Sequence, residues 1–274
     1  DIHFNHKIAL KAMELGIDGI RINPGTINNL RKVKEVAVMA RDTKTPVRLG
    51  MNTGSIEKRV LKDHPRPSAD AMVESALYHI ALFEDVGWTE IKVSLKASDI
   101  QETITAYKKF SKRSDYPLHV GITEAGPVFS GAIKSAIGIG ILLHEGIGDT
   151  IRVSLTGNPV LEVIAGYHIL RGLGLRKRGI NIISCPTCGR TKTNLAEIVE
   201  EFENEIAEFD AHLDVAIMGC EVNGPGEARE ADIGLAFGAT SAMLFKKGTV
   251  IKSGIPKEMA KNILKEEIFN MINK

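Results

Sequence analysis

Residues 46–52 read PVRLGMN, and the reading of that stretch decides the fold. Arg48 and Asn52 fall four apart, so the two-residue period of an extended strand puts both on one face. The pattern recurs in DIHF 1–4, GIRINP 19–24, EIKVSLK 90–96, PLHVGIT 117–123 and TIRVSLT 150–156. Between these strands lie helical stretches. One covers 68–86, where Ser68 can cap the first turn and Met72, Ala76, Ile80 and Phe83 recur at helical spacing. Another covers 159–171, with Asn158 as cap and Pro159 at the first helical position.

Strand-helix alternation of this kind predicts a parallel sheet joined by right-handed crossovers. Six βα units in about 175 residues fit a (β/α)8-type TIM barrel that lacks its first two units, since a closed barrel takes eight strands in roughly 250 residues. The opening DIHFNH, without Met, fits the same expectation. A chain of that length is expected to show an open barrel edge, poor solubility and little activity. The basic, glycine-rich RGLGLRKRG at 171–179 reads as a linker or a solvated loop. The expected division is a barrel domain at 1–175 and a smaller α/β domain at 176–274. The second has a helix at 194–209, capped by Asn194 with Glu197 three residues on, a strand LDVAIMG at 213–219, a hairpin across FKKGTVI and a C-terminal helix from about 256.

With 35 Lys+Arg against 34 Asp+Glu in 274 residues, the net charge of +1 gives no footprint for nucleic acid or an anionic membrane. No run of about 18 apolar residues predicts a membrane span, and no stretch reads as a signal peptide. Three cysteines, two of them as Cys-x-x-Cys, point to a reducing compartment, the cytoplasm.

The polar strand residues pair as Asp1 with His3, Arg21 with Asn23, Arg48 with Asn52, Ser94 with Lys96, and Arg152 with Ser154; Glu124 follows the strand ending in Thr123. One such charge on a strand is ordinarily a solvated side chain or half of an ion pair. Five strands in succession, most with the polar group near the C-terminal end where barrel enzymes carry their sites, point instead to a binding mouth. Arg21, Arg48, Lys96 and Arg152 suit a phosphate or diphosphate, with Asp1 and Glu124 offsetting part of the charge.

SCPTCGRT 184–191 and GCEVNGPGEA 219–228 supply Cys185, Cys188 and Cys220. Pro225 and Gly226 fit a type II turn that could carry Glu227 back as a fourth ligand. An iron-sulfur cluster, a structural zinc and no metal at all stay open on the residues alone.

Taken in order, DIHF, RINPG, MNTGS, SLKASD, GITEAG, GIGDTIRVSLT, SCPTCGRT and GCEVNGPGEA cover essentially the entire chain. In these motifs the chain resembles the hydroxymethylbutenyl diphosphate synthase family of the non-mevalonate isoprenoid pathway. The resemblance implies a substrate-holding barrel and a second domain like the cluster domain of sulfite and nitrite reductases. It implies a [4Fe-4S] cluster on Cys185, Cys188, Cys220 and Glu227, with Asn223 nearby. It also implies that Arg21, Asn23, Arg48, Asn52, Ser94, Lys96, Arg152 and Ser154 bind substrate, with Glu124 beside the reacting carbons.

The implied reaction is reductive ring opening of a cyclic methylerythritol diphosphate, with ferredoxin or flavodoxin as electron donor. Glu227 would free its iron for a substrate oxygen. The implied assembly is a homodimer in which the second domain of one copy faces the barrel of the other, in bacterial cytoplasm or a plastid stroma. A phosphate-binding lyase or isomerase with a structural zinc domain is the alternative; a zinc knuckle for nucleic acid fits poorly with the balanced charge and few aromatics.

Overall fold

A computed structural model describes residues 2, 4–27, 29–64, 66–206, 209, 211–222, 226 and 228–273. Two compact units divide the chain, Asp1–Arg176 and Lys177–Lys274.

The first unit alternates helix and strand throughout: α1 His6–Glu14, β1 Ile20–Ile22, α2 Pro24–Ile27, α3 Leu30–Thr43, β2 Val47–Asn52, α4 Ala69–Glu84, β3 Ile91–Lys96, α5 Ile100–Ser111, β4 His119–Val120, α6 Val128–His144, β5 Thr150–Ile151 and α7 Pro159–Gly172. Helix starts follow local capping chemistry. Side chains of Asn5, Asn29, Ser68, Asp99 and Asn158 each accept from a backbone N–H of the first turn, satisfying donors that the helix cannot.

The strands are parallel in the order β1-β2-β3, with Arg21 beside Arg48, Gly50 beside Ser94 and Asn52 beside Lys96. Ile2 adds a parallel bridge to Ile22 on the β1 side. Between β3 and β4 the ladder thins to one bridge, Val93 to Leu118, before β4 pairs with β5. Tyr107 of α5 fills that gap. Its hydroxyl accepts from Leu95 N at 3.0 Å and donates to the His119 carbonyl at 2.7 Å. The result is an incomplete, barrel-like α/β arc; no closed barrel forms among the described residues. Its core lies between strands and helices, where Val47, Leu49, Met51, Val93 and Leu95 meet Met72, Ile80, Phe83 and Phe110. The alternate strand residues therefore face the other way, into the arc.

The second unit is a mixed five-stranded sheet in the order β10-β9-β8-β7-β6, built from β6 Ile180–Ser184, β7 Leu213–Met218, β8 Ile233–Phe237, β9 Ser241–Lys246 and β10 Thr249–Pro256. β6, β7 and β8 are parallel, while β9 and β10 run antiparallel to their neighbours. Lys247 and Gly248, both at positive φ, make the two-residue turn between β9 and β10, the geometry that matches strand twist. Helices α8 Leu195–Ile206 and α9 Lys257–Ile272 contribute Phe202, Ile206, Leu264 and Ile268 to a cluster with Val215, Ile217, Ile233 and Leu235. A smaller cluster holds Ala216, Met218, Ala236 and Phe245 with Ala228 and Ala231. No described helix is long and apolar enough to cross a membrane.

Candidate active site

Strand parity delivers a polar lining to the inside of the arc. Arg48, Gly50 and Asn52 alternate with the core residues of β2, and Ser94 and Lys96 with those of β3. Gly50 matters by what it lacks. A Cβ there would stand 2.4 Å from Nε of Arg21, so the bare backbone is the shelf on which the Arg21 guanidinium lies. Arg152 follows β5 and bonds through its N–H to the Val120 carbonyl at 2.9 Å.

These cations act on each other. Burial lowers Arg21 to about 10, with Arg48 and Arg152 adding repulsion. Arg48 is lowered first by burial and then by Arg152. Lys96, 6% exposed, is brought down to about 7 by burial, then by Arg152, Arg48 and Arg21. Like charges crowded in a partly desolvated mouth raise each other's cost, and an anion in their midst would relieve it.

The remaining polar residues differ in how much of their bonding capacity is committed. Asn23, nearly fully buried, accepts from Gly25 N at 3.1 Å and donates to Ser55 Oγ at 2.7 Å, which pins the turn after β1 to the loop after β2. Asn52 keeps a buried Oδ1 with no hydrogen-bond partner among the described residues. Ser94 is buried and Ser154 half-buried. Glu124 is exposed and holds a left-handed backbone, φ 53°. The loops after β2 and β3 enclose a cavity of about 370 Å³ lined by Thr53, Arg66, Ser68, Ser98, Asp99 and Glu102 among others.

In the second unit Cys185 follows β6, is half-buried, and its Sγ accepts from Gly219 N at 3.5 Å. Cys188 is exposed; its N–H donates to Thr191 Oγ1 at 3.0 Å, and hydrogen bonds from the Arg190 backbone and side chain hold its thiol below the usual range. Cys220, after β7, is buried.

The model of the GcpE TIM-barrel domain matches residues 1–167, and that of the GcpE protein C-terminal domain matches residues 181–270. The chain belongs to the GcpE family. Among its relatives, proteins named 4-hydroxy-3-methylbut-2-en-1-yl diphosphate synthase (flavodoxin) are 55% identical over 266 residues in Geobacter sulfurreducens, covering 97% of this chain and 75% of that protein. The protein of that name in Thermodesulfovibrio yellowstonii is 52% identical over 268 residues, 98% of this chain and 76% of its own length. The one in Sulfurihydrogenibium sp. is 54% identical over 266 residues, 97% and 75%.

Within this GcpE chain the arc brings Arg21, Arg48, Lys96 and Arg152 into one electrostatic neighbourhood. Asp1, His3, Asn223, Pro225 and Glu227 lie outside the described residues. The expected [4Fe-4S] cluster needs correction. Among the described residues no group of three or more His, Cys, Asp or Glu is placed to hold a metal ion. Cys185 is half-buried against both apolar clusters of the second unit, Cys188 exposed and Cys220 buried.

One residue of the mouth escaped the sequence reading. His119 of β4 stands between Leu118 and Val120, both core residues, and so faces inward with Ser94 and Lys96. Its parity was a usable signal. The search for charge at the strand's end leads past it to Glu124.

Proposed function

We propose that the chain converts 2-C-methyl-D-erythritol 2,4-cyclodiphosphate to 4-hydroxy-3-methylbut-2-enyl diphosphate. Two electrons and two protons enter, the ring C–O bond breaks, and one oxygen leaves as water. The observation that carries the reading is the cluster Arg21, Arg48, Lys96 and Arg152, close enough to depress one another, inside a chain whose relatives bear a diphosphate synthase name.

In this reading the first unit is part of a (β/α)8-type barrel and holds the substrate. The guanidinium forks and Lys96 bind the diphosphate, while Asn23, Asn52, Ser94 and Ser154 address its remaining oxygens. Fixing the ring there sets the orientation of the breaking bond and offsets its charge. Glu124 lies close to the reacting carbons in this reading and can supply the proton for the departing hydroxyl. Flavodoxin, in the relatives' names, is the electron donor, with ferredoxin the runner-up. The homodimer and a bacterial cytoplasmic or plastid location rest on the family resemblance.

The test is an anaerobic assay of the chain with the cyclic diphosphate and reduced flavodoxin. Hydroxymethylbutenyl diphosphate is the expected product, formed slowly by a chain whose barrel is incomplete; binding with no product at all under every donor would reduce the reading to a diphosphate-binding protein.

Gly50→Ala probes the mouth separately. A new Cβ 2.4 Å from Arg21 Nε must push the guanidinium aside, and a long side chain can yield with little cost to the fold. The expected result is about tenfold weaker binding of inorganic diphosphate, one charge-assisted hydrogen bond, with a melting temperature little changed. Calorimetry showing native affinity would place Arg21 outside the site.

A further inference from the structure

His119 is built into the mouth without a task. Its Nδ1 is hydrogen-bonded to Thr150 Oγ1 at 2.8 Å across the β4–β5 ladder, which fixes the ring plane. Its Nε2 is buried with no partner among the described residues. Among the described residues the charged groups that act on it are cations: Lys96 and Lys92 of β3, Arg48 of β2, and Arg152 beyond β5. From α5, the Tyr107 hydroxyl reaches only its carbonyl. The nearby Asp149 carboxylate accepts from Leu118 N at 2.7 Å, and Glu124 stands beyond the end of the strand. Burial first, and those cations next, bring the imidazole down to about 3, so the free ring is neutral at any ordinary pH.

We propose that His119 is a further residue of the anion site, taking up one proton from solvent on Nε2 when a diphosphate enters and donating that N–H to it. The proton balance is simple. In this proposal the neutral ring carries its hydrogen on Nδ1, toward Thr150 Oγ1; the incoming charge offsets the repulsion of the surrounding cations, its oxygens replace the hydration that burial removes, and the imidazolium then has two donors in use. The sign follows from linkage: an anion that favours the charged ring raises its pKa, and binding consumes a proton. The inference rests on the reading of the arc as a diphosphate site, and adds to it a donor that exists only when the site is filled.

The test uses the full chain with 13C-labelled histidine and inorganic diphosphate as probe. At pH 6.5 one of the eight imidazoles should move from the neutral to the imidazolium chemical shift at saturation, and that signal should be missing from His119→Gln. Affinity in His119→Gln should be about tenfold lower at pH 6.5 and equal to native at pH 9. Should that variant fail to fold, Thr150→Val identifies the resonance by moving it alone. Calorimetric binding with the ring still neutral at pH 6.5, or an equal loss at both pH values, overturns the inference and leaves the diphosphate site standing. No diphosphate binding at all overturns the site and the inference with it.

Discussion

Lys96→Met is expected to make the protein more stable and a much weaker binder of diphosphate. Lys96 is buried, and the described charged groups that act on it, Arg152, Arg48 and Arg21, repel its charge. Methionine fills similar volume without that cost, and exchange of a buried charge for an apolar side chain stabilises by roughly 1–4 kcal/mol. About 2 kcal/mol is expected at pH 6. The pH dependence has a definite sign. Between pH 7 and the ordinary lysine range the folded state has released the proton that the unfolded chain still binds, so native stability rises with pH through that window. The advantage of the variant therefore shrinks on going from pH 7 toward pH 10. Diphosphate affinity should fall about 100-fold, the scale for deleting one partner of a desolvated charge pair. Melting curves at pH 6 and pH 10 with a diphosphate titration check both. A lower melting temperature at pH 6 would mean that Lys96 is a stabilising cation and the mouth is not under charge strain.

Tyr107→Phe carries the second large effect. One hydroxyl serves Leu95 N and the His119 carbonyl where the ladder between β3 and β4 is reduced to a single bridge. Phenylalanine keeps the ring and leaves both backbone groups buried without a partner, at about 1–3 kcal/mol each. A loss of about 3 kcal/mol is expected, which is roughly 6–12 °C in melting temperature for a domain of this size. Burial drives the phenol well above its ordinary range, so the effect should not vary with pH through the neutral and mildly alkaline region. A loss under about 1 kcal/mol would show that the two strands hold together without the side chain.

Much of this architecture is legible in sequence because it rests on local rules. Ser68 caps α4 and Asn158 caps α7 with Pro159 in first place, as capping chemistry requires. The stretches at 46–52 and 90–96 are strands to within a residue. PLHVGIT and TIRVSLT are less regular than their composition suggests. Their ladder covers two residues each, and just beyond it the backbones lie so close at Gly121 that a Cβ would meet the Arg152 carbonyl at 2.4 Å. Parity also places Arg48, Asn52, Ser94 and Lys96 on one face. Their mutual repulsion is invisible in sequence, since it depends on spacing across strands and on burial. The cysteines show the converse limit. Cys-x-x-Cys and a distant third thiol describe ligand chemistry, but a ligand set is a tertiary property, and among the described residues no metal-holding group forms even though Gly219, beside Cys220, donates to Cys185 Sγ.

Glu124 adopts a conformation that glycine enters freely and other residues enter at a cost of roughly 1 kcal/mol. The chain therefore keeps a carboxylate at a position where its own backbone would rest more easily without a side chain.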